Sequence, residues 1–157
     1  MKLKRVYGVL LVCAVLVGCL GMSANAAGAA SAENKIVLLK ELDQDVLAPT
    51  GVEYGASPYV TRATISINVT VRANGVSALD ESFPLESGET VTINAVYSPR
   101  SASVDFGLIA PDGLFHYINT TDGNIDKTIR VDQRGNYTFA VRNNSSDTIS
   151  VSGFVNY

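Results

Sequence analysis

Ala63-Thr64-Ile65-Ser66-Ile67-Asn68-Val69-Thr70-Val71-Arg72 alternates apolar and polar side chains without a break. A period of two places successive side chains on opposite faces of a strand, so one face is buried and the other solvated. Asn74-Gly75 follows, a pair that accepts positive φ and predicts a tight hairpin turn. Val76 to Leu85 predicts the returning strand, which Pro84 marks as edge-like. The same rhythm continues downstream. Ser87-Gly88-Glu89 turns into Val91, Ile93, Ala95 and Tyr97, and Ser98-Pro99-Arg100-Ser101 precedes Val104, Phe106 and Leu108. Pro111-Asp112-Gly113 and Asp122-Gly123-Asn124 bracket Leu114 to Asn119. Ile125, Ile129 and Val131 follow, then Tyr137, Phe139 and Val141, then Ile149, Val151, Val155 and Tyr157. About eight strands with frequent turn signals predict an all-β fold, an antiparallel two-sheet β-sandwich of jelly-roll or immunoglobulin-like type, over residues 60–157.

Upstream the pattern changes. Ile36, Leu39, Leu42 and Val46 fall at spacings of three and four, which predicts a short amphipathic helix, although Lys35-Ile36-Val37-Leu38-Leu39 suits a strand equally well. Residues 48–59 hold two Pro and two Gly and predict a loop, and residues 27–34 are small and polar, as in a tether. Met1-Lys2-Leu3-Lys4-Arg5 and the apolar run from Val6 to Leu20 have the form of a signal peptide over residues 1–26, with Ala24-Asn25-Ala26 suited to cleavage after Ala26. The alternative is Leu16-Val17-Gly18-Cys19, which resembles a lipobox and leaves Cys19 as a lipidated N-terminus. Both cysteines, Cys13 and Cys19, lie in this leader, so a chain beginning at Ala27 has no thiol for a disulfide, a nucleophile or a metal. The apolar run is short for a membrane span, and no other segment comes near that length. The last strand pattern runs to Tyr157, so no C-terminal wall-sorting tail is expected.

Composition narrows the function classes. At 157 residues and 46% hydrophobic the chain supports one folded domain and excludes a disordered one. Its formal charge of -3 becomes more negative when Lys2, Lys4 and Arg5 leave with the leader, so nucleic acid is an unsuitable partner.

The residues that carry chemistry are few. His116 is the only histidine and sits between Phe115 and Tyr117 in a strand pattern, so a half-buried or surface ring is expected there instead of a catalytic base. No Gly-x-Ser-x-Gly elbow is present. Asp112, Asp122, Asp126 and Asp132 stand in or beside turns, whereas Asp105 alternates with Val104 and Phe106 and points away from the core, toward a cross-strand pair with Arg130 or Arg142. Asp122, Asn124 and Asp126 offer oxygen ligands at alternate positions and make calcium the one cofactor to consider, although Lys127 and Gln133 break the EF-hand pattern. Asn68, Asn119, Asn136, Asn143 and Asn144 begin glycosylation sequons, which act only in a eukaryotic secretory pathway. Phe154 is out of phase with Ile149, Val151, Val155 and Tyr157, and Phe115 and Tyr117 share one side of their strand. Phe115, Tyr117 and Phe154 therefore form the candidate ligand patch, unless a loop or the Ile36 to Leu47 segment covers them. The Ser- and Thr-rich strand from Val60 to Arg72 also has the alternation of a membrane-inserting hairpin, the pattern of a pore-forming protein.

Three stretches carry a resemblance: Ser87-Gly88-Glu89-Thr90-Val91-Thr92-Ile93, Val104 through Pro111-Asp112-Gly113, and Arg134-Gly135-Asn136-Tyr137-Thr138-Phe139-Ala140-Val141. Together they resemble the bacterial pre-peptidase C-terminal type of β-sandwich, in its glycine-led strand, its Pro-Asp-Gly turn and its later Gly-x-Tyr. That resemblance implies a non-catalytic accessory module, although the enzyme domain such modules accompany is not expected ahead of this one. The whole chain also resembles small secreted proteins of Gram-positive bacteria. The combined expectation is a secreted, monomeric or weakly associating, non-catalytic module that binds an extracellular protein or glycan.

Overall fold

The computed structural model describes residues 36–47, 52–55 and 64–157, so the leader and tether lie outside the described residues. The described chain is all-β. Its strands are β1 (Ile36–Leu38), β2 (Asp43–Asp45), β3 (Val52–Gly55), β4 (Thr64–Val71), β5 (Val76–Leu79) and β6 (Phe83–Leu85). They continue as β7 (Thr90–Ser98), β8 (Val104–Ile109), β9 (Phe115–Thr120), β10 (Asn124–Arg130), β11 (Gly135–Asn143) and β12 (Ile149–Asn156). A five-stranded sheet runs β1-β10-β7-β12-β4, and a seven-stranded sheet runs β2-β9-β8-β11-β5-β3 with β6 added against β11.

The alternation in the sequence becomes the core. Ile65, Ile67, Val91, Ile93, Val151 and Val155 face Val104, Phe106, Leu108, Phe139 and Val141 across the sandwich, and all are buried. At one end the buried Asn143 donates to the Val71, Arg72 and Asp147 carbonyls and accepts from Ser145. It thereby ties the β11–β12 turn to the end of β4, satisfying backbone groups that would otherwise be buried unpaired.

Several local expectations are corrected. The 36–47 segment is a strand, a short 3-10 turn at Leu39–Glu41 and a second strand, not an amphipathic helix, because β1 and β2 find sheet edges to pair with. Residues 48–59 are not loop throughout, since β3 pairs in parallel with β5; β1 with β10 is the other parallel pair, so the sheets are antiparallel only in their interiors. Asn74 does adopt φ 52, and the Gly75 N–H bonds the Arg72 carbonyl, yet the turn makes no hairpin. It is a corner between sheets, with β4 pairing β12 and β5 pairing β11. The predicted strand from Val76 to Leu85 breaks at residues 80–82 into β5 and β6.

Candidate functional site

The two sheets present very different outer faces. On the seven-stranded sheet, Phe115 and Tyr117 of β9 point outward and stack at 5.4 Å between ring centroids. They are not open. Phe115 is fully buried, and Leu47 and Tyr117 pack with it against Ala78 and Ala140 in a second small core. Gly107 sits across from Tyr117 in the register, where a Cβ would fall 1.9 Å from the His116 carbonyl oxygen, so β8 and β9 approach more closely there than any side chain permits.

Over the two rings lies the Arg142 guanidinium, 4.5 Å from the Tyr117 centroid and 5.6 Å from that of Phe115. Its Nε donates to Asp105 Oδ2 at 2.8 Å and its Nη1 to Asp45 Oδ2 at 2.7 Å. Asp105 is 1% exposed and also accepts from Asn119 and Asn144. The expected outward aspartate with an arginine opposite it is thus present, and register selects Arg142, since Arg130 belongs to the other sheet. Burial works against the charge on Arg142, but the hydrogen bonds to Asp105 and Asp45 outweigh it and hold its pKa above the ordinary value. The hydrogen bond from Arg142, helped by the Val46 N–H, keeps Asp45 below the usual carboxylate range. Leu47, just beyond the edge strand β2, and Asp45 of β2 help to close this face.

His116 points to the other side of β9 and is buried at 5% exposure, not half-buried or superficial. Its Nε2 lies 3.0 Å from Asp112 Oδ2, and among the described residues its Nδ1 has no partner. Desolvation opposes ionisation of Asp112, but hydrogen bonds from the Leu114 N–H and His116 prevail and lower its pKa. Among the described residues no hydroxyl is hydrogen-bonded to this imidazole. Asp122, Asn124 and Asp126 border one open groove of about 390 Å³, and among the described residues no three acidic, histidine or cysteine side chains gather closely enough to hold a metal. No described helix is long and apolar enough to cross a membrane.

The five-stranded sheet is open. Register aligns its outward residues in rows across β4, β12, β7 and β10: Thr64–Asn156–Thr92–Thr128, Ser66–Phe154–Asn94–Asp126, and Asn68–Ser152–Val96–Asn124. Phe154 is 51% exposed and Val96 53%. A furrow of about 420 Å³ beside Phe154 shares Asn68, Val96 and Ser152 with a second of about 390 Å³ that reaches Arg100. Phe154 thus has no part in the Phe115–Tyr117 stack, and the three aromatics belong to opposite sides of the molecule. Asn68, Asn94, Val96 and Ser152 escaped the sequence reading. Alternation marks them as outward, but only the strand order places them side by side.

No protein-family model matches the chain, and no curated protein sequence matches it. Solved structures do match. The periplasmic inhibitor of g-type lysozyme PliG from Aeromonas hydrophila is 13% identical at a TM-score of 0.50, over 68% of this chain and 96% of that one. The likeness is one of fold. A mutant of the Escherichia coli inhibitor of the same name superposes at a TM-score of 0.43 and 10% identity, over 68% of this chain and 98% of its own.

Proposed function

We infer that this chain is a secreted, non-catalytic binding module that works outside the cell or at the cell envelope by occupying a partner's surface. The observation that carries the reading is the contrast between the faces. His116, Asp112 and Asp105 are pinned inside structural contacts, while the five-stranded sheet leaves a broad polar face with three exposed apolar side chains, Ile36, Val96 and Phe154. The likeness to pre-peptidase sandwiches supports the same non-catalytic role. The test is retention of the exported protein on cell-envelope material together with an assay for released products. Retention without product is expected, and turnover that disappears in His116→Ala overturns the reading.

The shared architecture with a lysozyme inhibitor favours one specific form of this activity, inhibition of a wall-cleaving hydrolase. Stoichiometric loss of g-type lysozyme activity in a wall-clearing assay is its signature, and full activity at a large excess of this protein removes it. Intact mass of the exported chain separates a free form beginning at Ala27 from an envelope lipoprotein acylated at Cys19.

A further inference from the structure

We propose that the furrow along β12, from Phe154 toward Arg100, binds an uncharged polysaccharide chain, with a pyranose ring on Phe154 and hydrogen bonds to Asn68, Asn94 and Ser152. The inference rests on the binding-module reading and names the partner. Hydrogen bonding supplies the first argument. In the outermost row the side chains satisfy one another, Thr64 with Asn156 at 2.6 Å and Thr92 with Thr128 at 2.9 Å. In the next two rows Ser66, Asn94, Asn68 and Ser152 make no side-chain hydrogen bond among the described residues. These hydroxyls and amides are exposed, and each offers both a donor and an acceptor. The sheet holds them about 4.8 Å apart across strands and about 7 Å apart along them. Sugar hydroxyls and acetamido groups are likewise donor and acceptor at once, and a neutral hydrogen bond suffices for each.

Charge supplies the second. The outward residues Thr64, Ser66, Asn68 and Thr70 of β4, Thr92, Asn94, Val96 and Ser98 of β7, and Ser150, Ser152, Phe154 and Asn156 of β12 include no ionisable side chain. Asp126 and Arg100 stand at the margins. A charged ligand loses hydration here and meets no counter-charge from β4, β7 or β12 between Phe154 and Ser150, whereas an uncharged one has no such cost.

Shape supplies the third. The two furrows are continuous through Asn68, Val96 and Ser152, and Phe154 to Ser150 spans about 14 Å of strand, the length of about two or three linked pyranoses. Phe154 is half-exposed beside the furrow, and an aromatic ring suits the apolar C–H face of a sugar.

The experiment is a titration of the isotopically labelled exported protein with β-1,4-linked tetramers of glucose and of N-acetylglucosamine, followed by amide NMR. Saturable shifts at Asn68, Asn94, Val96, Ser152 and Phe154 are expected, with a dissociation constant of about 1 mM or tighter. Binding should weaken at least about tenfold, near 1.4 kcal/mol, in Phe154→Ala and in Asn94→Ala. Both side chains are exposed, and the NMR spectrum itself reports that each variant is folded. No saturable shift by about 10 mM of either sugar, or shifts confined to other surfaces, overturns the proposal. A response of the same residues to g-type lysozyme, with none to the sugars, overturns the glycan and leaves the binding-module reading standing. No response to any of these probes, with no retention on envelope material, overturns both.

Discussion

The two outer faces are built from the same two-residue period and have opposite fates. On the seven-stranded sheet the outward positions of β8, β9 and β11 hold Asp105, Phe115, Tyr117 and Arg142, with Asp45 of the edge strand β2 reaching Arg142 and Leu47 beyond it packing on the rings. On the five-stranded sheet the corresponding positions hold Ser, Thr and Asn, and nothing among the described residues covers Phe154 or Val96. Burial of a face demands a full hydrogen-bond account for every charge on it, and Asp105 has one. A face of short neutral groups remains solvated at little cost and is free to meet a ligand.

That contrast is most directly broken by removing an aromatic from the closed side. Phe115→Ala leaves a cavity beneath Arg142 and is expected to cost about 3–5 kcal/mol, measured by denaturant unfolding. Arg142→Met should cost a similar amount, about 3–5 kcal/mol, because it strands the buried Asp105 carboxylate. Adding Asp105→Asn to Arg142→Met should recover part of that loss. If the single and double variants unfold together, the Arg142–Asp105 contact does not hold the closed face together.

Acid sharpens the same comparison with a smaller effect. Asp45 and Asp112 ionise below the usual carboxylate range in the folded chain, so the unfolded chain binds more protons as pH falls through that range. Their contribution is fully present above the ordinary carboxylate pKa of about 4 and is lost below it. Thermal unfolding followed against pH should therefore fall on the acid side, and Asp45→Asn should flatten part of that fall. Added salt should shrink the difference between Asp45→Asn and wild type, since Asp45 lies at the surface. No difference between Asp45→Asn and wild type at any salt concentration would move the hold on this segment from Asp45 to the packing of Leu47.

How much of this was legible in the sequence depends on range. Alternation over Thr64–Val71 specified which side chains enter the core, and it specified Asp105 as outward, because both are properties of one strand. Partner choice is a property of strand order. Asn74-Gly75 reads as a hairpin because the turn chemistry is local, whereas the structure carries β4 to β12 and β5 to β11. Spacings of three and four in Ile36, Leu39, Leu42 and Val46 read as a helix for the same reason, and the free edges of β10 and β9 capture that segment as strands. His116 was misplaced because alternation fixes a side but not depth, and its side of β9 faces inward. The open furrow was invisible to sequence, since its residues come from three strands brought together only by register.

The smallest expected effect is the most discriminating. Phe154→Ala makes the same chemical change as Phe115→Ala, yet Phe154 already leaves half its surface in water and lies over no second core. Its removal should change stability by no more than about 0.5 kcal/mol. Gly153, beside it, lets β12 approach β7 so closely that a Cβ would fall 2.2 Å from the Asn94 carbonyl oxygen; the backbone, and not the Phe154 ring, sets the strand's position there. A large loss on Phe154→Ala would mean that the ring packs under some other part of the chain, so that the five-stranded face is closed like its counterpart. A neutral result leaves a large apolar side chain exposed among the uncharged outward residues of β4, β7 and β12, with no part in holding the fold together.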